Sequence, residues 1–422
     1  MTTAVCPLVP PTTAASIKTG SETVSEAVRP DISWIPSSQV FKDRAEKLRA
    51  LYPNRRTTLP EGWPAQVEGA RVWSGSDFAS EDEYIVRLSP EDIAEIDAGL
   101  AFFKGLPGDL GPDDVNPDTF PLPTLKQKLT EVSETIHDGR GFVVLRGLQP
   151  EKYSNLDNIL LYLGVTSYIA GTRGMQDFDG RMILHIQAVL EDVKKDGKQP
   201  NSPYVNRAQP FHADLCDVLA MYALNTAAVG GESYLASGAK IYNELARTRP
   251  DIIETLAKDD WIFDEFYQGQ YHTRPLLYRF GRHGPGFQFS RRPLTGAPFS
   301  PHHPSVPAMT EPQAEALDAV HFLAEEHALE LRLRRGDVLL VNNLAALHAR
   351  AAFADDPARG RRRHLLRLWL RSEDRRWPTP PALERLAWEV YGDHAWRRER
   401  AVWDVERSPP ELRVKHRRAS CA

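Results

Sequence analysis

Gln209-Pro210-Phe211-His212-Ala213-Asp214-Leu215 is the stretch from which the rest of the chain can be read outward. His212 and Asp214 stand at i and i+2. On a β-strand such residues point to the same face. An imidazole beside a carboxylate makes two thirds of a facial triad, the donor set that holds non-haem iron(II) while leaving coordination positions open. The third member should be a distal histidine. His348, in Val341-Asn342-Asn343-Leu344-Ala345-Ala346-Leu347-His348-Ala349-Arg350, is the candidate, 134 residues beyond Asp214 and just after an apolar strand.

Composition narrows the classes open to the chain. Its 422 residues suffice for one large domain or two ordinary ones. The balance of 52 basic against 57 acidic side chains gives a net charge of −5, so no general attraction to nucleic acid or to acidic membranes is expected. No apolar run has transmembrane length, and the N-terminus lacks the basic and apolar regions of a secretory signal. Cys6, Cys216 and Cys421 are odd in number and far apart, which argues against a disulfide framework and fits a reducing, cytoplasmic setting.

Residues 1–30 are rich in Thr, Ser, Ala and Pro without apolar periodicity and read as a disordered tail. Residues 31–120 read as a helical and extended region packed on the core. Within it, Phe41 to Leu51 looks helical, and Ser89-Pro90 opens a helix with the stripe Ile93, Ile96, Leu100, Phe103. Residues 121–375 read as the main domain. Leu125, Leu129, Val132 and Ile136 predict an amphipathic helix. Strands are predicted at Gly141–Leu145, Met182–Ile186, Leu276–Phe280, Phe287–Ser290, Val338–Val341 and Leu365–Leu370. Ser154-Asn-Leu-Asp157 resembles a capping box before a helix with Ile159, Leu160 and Leu163, and further helices are predicted near 239–248, 250–258 and after Thr310. Residues 376–422 read as a C-terminal helical tail carrying Trp388, Tyr391 and Trp396. The expected class is mainly β with helical insertions (α+β), because strands from both halves must meet to bring the histidines to Asp214.

A histidine two residues before an aspartate is common on half-buried strands and is weak evidence alone. Further features add to it. Arg363-His364-Leu365-Leu366-Arg367 places Arg363 and Arg367 on one face of a strand. A guanidinium embedded in an apolar run needs an anion, since an unpaired buried charge is costly; a dicarboxylate held bidentately would serve. The turn Gly230-Gly231-Glu232-Ser233 could set a hydroxyl near the same anion.

Phe-His212-x-Asp214, Gly-Gly-Glu-Ser233, Gly336-Asp337-Val-Leu-Leu-Val-Asn-Asn, His348, Arg363-x-x-x-Arg367 and Arg146-Gly147-Leu148 together resemble the iron(II)/2-oxoglutarate-dependent dioxygenases of the TauD/TfdA family, in its fungal branch. The resemblance spans roughly residues 120 to 375. It implies a double-stranded β-helix, or cupin-like jelly roll. It implies that His212, Asp214 and His348 bind Fe(II), that Arg363 pairs with the distal carboxylate of 2-oxoglutarate, and that Ser233 adds a hydroxyl where the family commonly has threonine. Arg367 matches a second arginine close to the co-substrate or to an acidic group of the prime substrate. The reaction would use O2, release succinate and CO2, and oxidise an unactivated C–H of a small acidic substrate such as an amino acid, a sulfonate or another carboxylate. Desaturation or C–N ring closure, such as aziridine formation, is the alternative outcome of the same chemistry. Homo-oligomers are common in the family.

Two other classes compete: a zinc hydrolase with the same ligands, which would leave the arginine pair unexplained, and a non-catalytic cupin-like binding protein. For the substrate pocket, Tyr204, Asn206, Arg207 and Gln209 lead into the metal strand, and His185 and Tyr168 precede it. Arg291 and Arg292 read as a solvated turn. Cys216 is expected on the face of His212 and Asp214, as a small apolar residue.

Overall fold

A computed structural model describes residues 18–19, 29–177, 179–188, 204–264, 269–298, 300–392 and 401–406. Two sheets face one another. The larger is built from β1 (Ile85–Arg87), β2 (Phe142–Arg146), β3 (Thr172–Gly174), β4 (Ile183–Ile186), β6 (Val218–Asn225), β9 (Val338–Asn342) and β11 (His364–Arg371). Its order is β1-β2-β9-β6-β11-β3, with β4 also pairing β11. The smaller has the order β8-β7-β10-β5, from β5 (Gln209–His212), β7 (Ser233–Ser237), β8 (Leu329–Leu331) and β10 (Ala346–Arg350). Strands remote in sequence are thus neighbours in space, and the core is a double-stranded β-helix. All pairs in both sheets are antiparallel except β1 with β2.

Period-two alternation decides what each strand buries. Phe142, Val144, Leu219, Leu339, Val341 and Trp369 of the larger sheet meet Leu235, Leu331 and Ala346 of the smaller in one apolar cluster between the sheets. The alternate residues Val143, Leu145, Ala220, Tyr222, Leu340, Leu366 and Leu368 face the other way. They pack with helices α2 (Pro90–Gly105), α3 (Leu125–His137) and α4 (Asn155–Ser167), whereas α1 (Ser38–Leu51) lies against the helix Glu311–Glu326. The outer face of the smaller sheet, through Phe211, Ala236, Leu347 and Ala349, packs with α5 (Gly238–Thr248), α6 (Pro250–Ala257) and α7 (Glu311–Glu326). Both sheets are therefore covered, and polar side chains that point between them are removed from water.

The helices start where their capping residues dictate. Ser89 Oγ accepts from Asp92 N (3.2 Å), and Asp92 Oδ2 accepts from Ser89 N (2.8 Å). Ser154 caps α4 through Asp157 N (3.1 Å). Gly336 carries φ +92°, and a Cβ there would lie 1.9 Å from Leu148 O, so this turn into β9 requires glycine.

One expectation changes. Lys18 and Thr19, read as part of a disordered tail, pair antiparallel with Tyr271 and Gln270, and Arg29 Nη2 donates to Val306 O (2.7 Å). A strand edge carries unpaired backbone groups, and tail residues satisfy them here. Most of 1–28 lies outside the described residues. At the other end α8 (Glu384–Tyr391) forms, while Trp396 lies outside the described residues. Among the described residues no helix is long and apolar enough to cross a membrane.

Candidate active site

His212 and His348 are directly opposed across the β5–β10 ladder. On β10, Ala346, His348 and Arg350 share the inward face, since Leu347 and Ala349 belong to the outer cluster. The ladder holds His348 against His212 and Arg350 against Gln209, so β5 carries one extra residue between these pairs. Pro210 sits in that bulge, where its missing N–H costs no ladder bond. His212 Nδ1 donates to Pro210 O (2.9 Å). That bond fixes the tautomer and leaves Nε2 facing the interior with a lone pair. The two imidazole centroids are 4.1 Å apart.

Asp214 is placed differently from the expectation. β5 ends at His212, so strand parity does not carry the carboxylate inward. Loop hydrogen bonds do: Asp214 N donates to Asn343 Oδ1 (2.9 Å), and Asp214 O accepts from Gln288 Nε2 (2.9 Å) and Asn343 Nδ2 (2.6 Å). The carboxylate is then split in use. Oδ2 accepts from Arg367 Nη1 (2.9 Å) and Trp369 Nε1 (3.0 Å). Oδ1 is buried without a hydrogen-bond partner, 3.8 Å from His212 Nε2. Ligand atoms of His212, Asp214 and His348 lie within 4.8 Å of one another.

Electrostatics prepare these groups as donors. Burial works against the charged form of Asp214, but Arg367, His348, His212 and the Trp369 hydrogen bond outweigh it and hold the carboxyl below its ordinary value. Burial lowers His212. Burial, and then His212, push His348 down to about 3. Two neutral imidazoles and one ionised carboxylate with a free oxygen fit a divalent transition metal of the iron(II) type.

Beside this cluster, Ser233, Arg350, Arg363 and Arg367 line a cavity together with His212 and His348. Burial pushes the Arg363 guanidinium down to about 10, with Asp355 acting against it. Its Nη1 has no hydrogen-bond partner. Gly231, at φ +79°, lets the arginine stem pass: a Cβ there would stand 3.1 Å from Arg363 Cδ and Nε. Arg367 is committed to Asp214 and, through Nε, to Gln176 Oε1 (2.8 Å), while its Nη2 is buried without a partner.

Several residues acquire places that sequence reasoning had not given them. Trp369 continues the parity of Arg363, Leu365 and Arg367, so alternation alone could have pointed to it. Asn343 stood in a quoted motif without a role. Arg350 continues the parity of His348 in the same way, whereas Gln176 and Gln288 left no local signal of their positions.

The substrate-pocket candidates divide. Gln209 lines the cavity. The carbonyls of Val205 and Arg207 accept from Arg350 Nη2 (2.7 and 2.6 Å), and Asn206 O accepts from Phe353 N (2.9 Å). His185 is paired with Leu366, whose side chain faces the helices, and its ring meets His364 Nε2 (2.8 Å) and Asp404 O (2.6 Å). The Tyr168 hydroxyl accepts from Leu122 N (2.9 Å) in the helical layer. Arg291 and Arg292 are not solvated: they are 1 % and 3 % exposed, and Arg291 Nη1 lies 2.8 Å from Asp318 Oδ1. A charge this deep is tolerated because its acid lies on α7. Cys216 does not share the histidine face, because the strand stops short of it. It lines a separate small cavity with Phe280 and Trp377, and burial pushes its thiol up.

The model of the family described as "Taurine catabolism dioxygenase TauD, TfdA family" matches residues 103–369. The chain belongs to the TauD/TfdA family. It is accordingly an iron(II)- and 2-oxoglutarate-dependent oxygenase that uses O2. A taurine hydroxylase-like protein, SAT17, from Stachybotrys chartarum is 37 % identical over 345 residues, covering 80 % of this chain and 88 % of that one. FR-33289 synthase of Streptomyces rubellomurinus is 27 % identical over 282 residues, covering 64 % and 81 %. Among solved structures, an asparagine oxygenase with Fe(II), 3-hydroxyasparagine and succinate aligns with TM-score 0.53 at 15 % identity, covering 68 % of this chain and 94 % of that one. The non-haem iron oxygenase OrfP with iron and α-ketoglutaric acid aligns at 0.50 and 19 %, with the same coverage. At these identities the likeness is one of fold, and both TauD/TfdA membership and jelly-roll core agree with the sequence reading.

Proposed function

We propose that His212, Asp214 and His348 hold the iron, that Arg363 and Ser233 receive the distal carboxylate of 2-oxoglutarate, and that the prime substrate is a small acid, with an amino acid as first choice. The observation that carries this reading is the buried Asp214 Oδ1, unpaired beside two neutral imidazoles that line one cavity with a buried, unsatisfied Arg363. Such groups are stable in a native interior when a ligand completes them.

Bound iron(II) with 2-oxoglutarate supplies the oxidising chemistry, with succinate and CO2 as co-products. The chain's own residues set positions. Pro210 O orients His212, and Trp369 and Arg367 occupy Asp214 Oδ2 so that only Oδ1 is offered. The covered sheets exclude water. The remaining N–H of Arg367 is the group that would meet an acid of the substrate. The amino-acid preference draws on relatives solved with hydroxyasparagine and with hydroxy-L-Arg.

In the same reading, 121–375 is the catalytic unit, 31–120 a jacket on it, and 376–422 a C-terminal extension. The protein works in the cytoplasm on small molecules, without nucleic acid or membrane, and as a homo-oligomer. The test is anaerobic: Fe(II), then 2-oxoglutarate, followed by visible absorption. A weak charge-transfer band requiring both additions, and missing in His212→Ala and Asp214→Ala, is expected. No band in iron-replete protein would sink the assignment.

A further inference from the structure

We infer that Arg350 is a second cation for the distal carboxylate of 2-oxoglutarate, so that this carboxylate is held between two guanidiniums rather than by Arg363 alone; the inference rests on the co-substrate assignment above. Arg350 faces inward by the same parity as His348. It is the register partner of Ser233, which faces inward as Leu235 does. Both arginines border the cavity that contains Ser233, and both contact the ring of Phe353, with guanidinium carbons 5.1 and 5.3 Å from its centroid.

Arg350 is only partly used by the protein itself. Nη2 donates to Val205 O and Arg207 O, while Nε and Nη1 are buried with no hydrogen-bond partner. Two nearby buried cations therefore present unsatisfied N–H groups to one cavity, and they repel each other until an anion arrives. A carboxylate offers about four lone-pair sites. Arg363 can fill two in a fork; the Ser233 hydroxyl and Arg350 suit the rest. Arg361 does not compete for this role, since its Nη2 is taken by Thr226 Oγ1 and Ala227 O (3.2 and 2.6 Å). Arg350 is thus a specificity residue: it should make the site demand a dicarboxylate 2-oxo acid.

The test compares two probes on iron-loaded, anaerobic protein. One is 2-oxoglutarate. The other is 2-oxopentanoate, which keeps the chelating 1-carboxylate and 2-oxo groups but ends in a methyl. Half-saturation of the charge-transfer band is read for both. In Arg350→Gln the value for 2-oxoglutarate should rise at least about tenfold, while that for 2-oxopentanoate stays within about twofold. Arg350→Lys keeps the charge but not the fork and should fall between. If Arg350→Gln does not fold, a rise confined to 2-oxoglutarate in Arg350→Lys still supports the inference. Equal weakening for both probes would show that Arg350 acts only by anchoring residues 205–207, and no change for either would equally overturn it. A wild-type protein with no band for either probe would instead remove the iron assignment, and this inference with it.

Discussion

Arg146 closes β2 and Arg363 directly precedes β11, both strands of the larger sheet, yet the two arginines stand in opposite chemical states. Arg146 donates Nε and Nη2 to the two oxygens of Asp337 and Nη1 to Glu81, all at 2.8 Å. Asp337, which is fully buried, raises its pKa further. Arg363 is buried more deeply than the half-buried Arg146, and its guanidinium is left with an unsatisfied nitrogen and its pKa is lowered. A cation with its acid in place is part of the scaffold. A cation that the scaffold leaves short of an acid waits for one from outside.

The contrast is sharpest in ligand binding. Arg363→Met should weaken 2-oxoglutarate by about 30-fold to 1000-fold, the cost of truncating one partner of a buried charge pair. Its melting temperature without co-substrate should hold or rise, because an uncompensated charge has been removed. Calorimetric titration and thermal melts check both halves; a large loss of stability would erase the distinction between the two arginines.

Arg146→Met should do the reverse. It strands the buried Asp337 and should cost roughly 3 kcal/mol of stability, with 2-oxoglutarate affinity unchanged in the folded fraction. Denaturant unfolding alongside the same titration would reveal a mistake if binding fell instead.

Trp369→Phe probes the groups between these extremes. It removes one of two donors to Asp214 Oδ2 while keeping most of the apolar volume. Loss of such a supporting hydrogen bond should weaken iron binding about 10- to 100-fold, measured by metal-competition titration, and should leave unfolding nearly unaffected.

The smallest effect concerns pH and the scaffold histidines. His137 and His321 are held below the ordinary histidine value, chiefly by burial. Unfolded, they take up protons near pH 6.5; folded, they resist. The unfolded state then binds more protons below that pH, so stability is lost as pH falls through about 6.5. Thermal melts of metal-free protein from pH 7.5 to 5.5 should show a falling midpoint; a flat or rising one would contradict the assignment.

The order of motifs pointed to the right residues because each rests on a short-range rule. Period two put Arg363, the residue before β11, and Arg367 on one face, and extending it by one step reaches Trp369. Capping chemistry placed the starts of α2 and α4. Period two did not place Asp214, because β5 ends two residues before it and Asn343 and Gln288 take over the positioning. The solvated-turn reading failed at Arg291, whose acid on α7 is too distant in sequence to be seen as a partner.

What the sequence determined by itself was therefore the inventory: a histidine and an acid two residues apart, a distal histidine after an apolar strand, and inward-facing arginines on one more strand. These follow from local periodicity and side-chain chemistry, which travel with the chain. Tertiary structure alone decided the use of each. Cross-strand register set His348 against His212 and Arg350 against Ser233, and the folded interior gave Arg146 its carboxylate while leaving Arg350 and Arg363 unsatisfied. Whether a buried charge is scaffold or binding site depends on which remote residue reaches it, and that is fixed by non-local pairing.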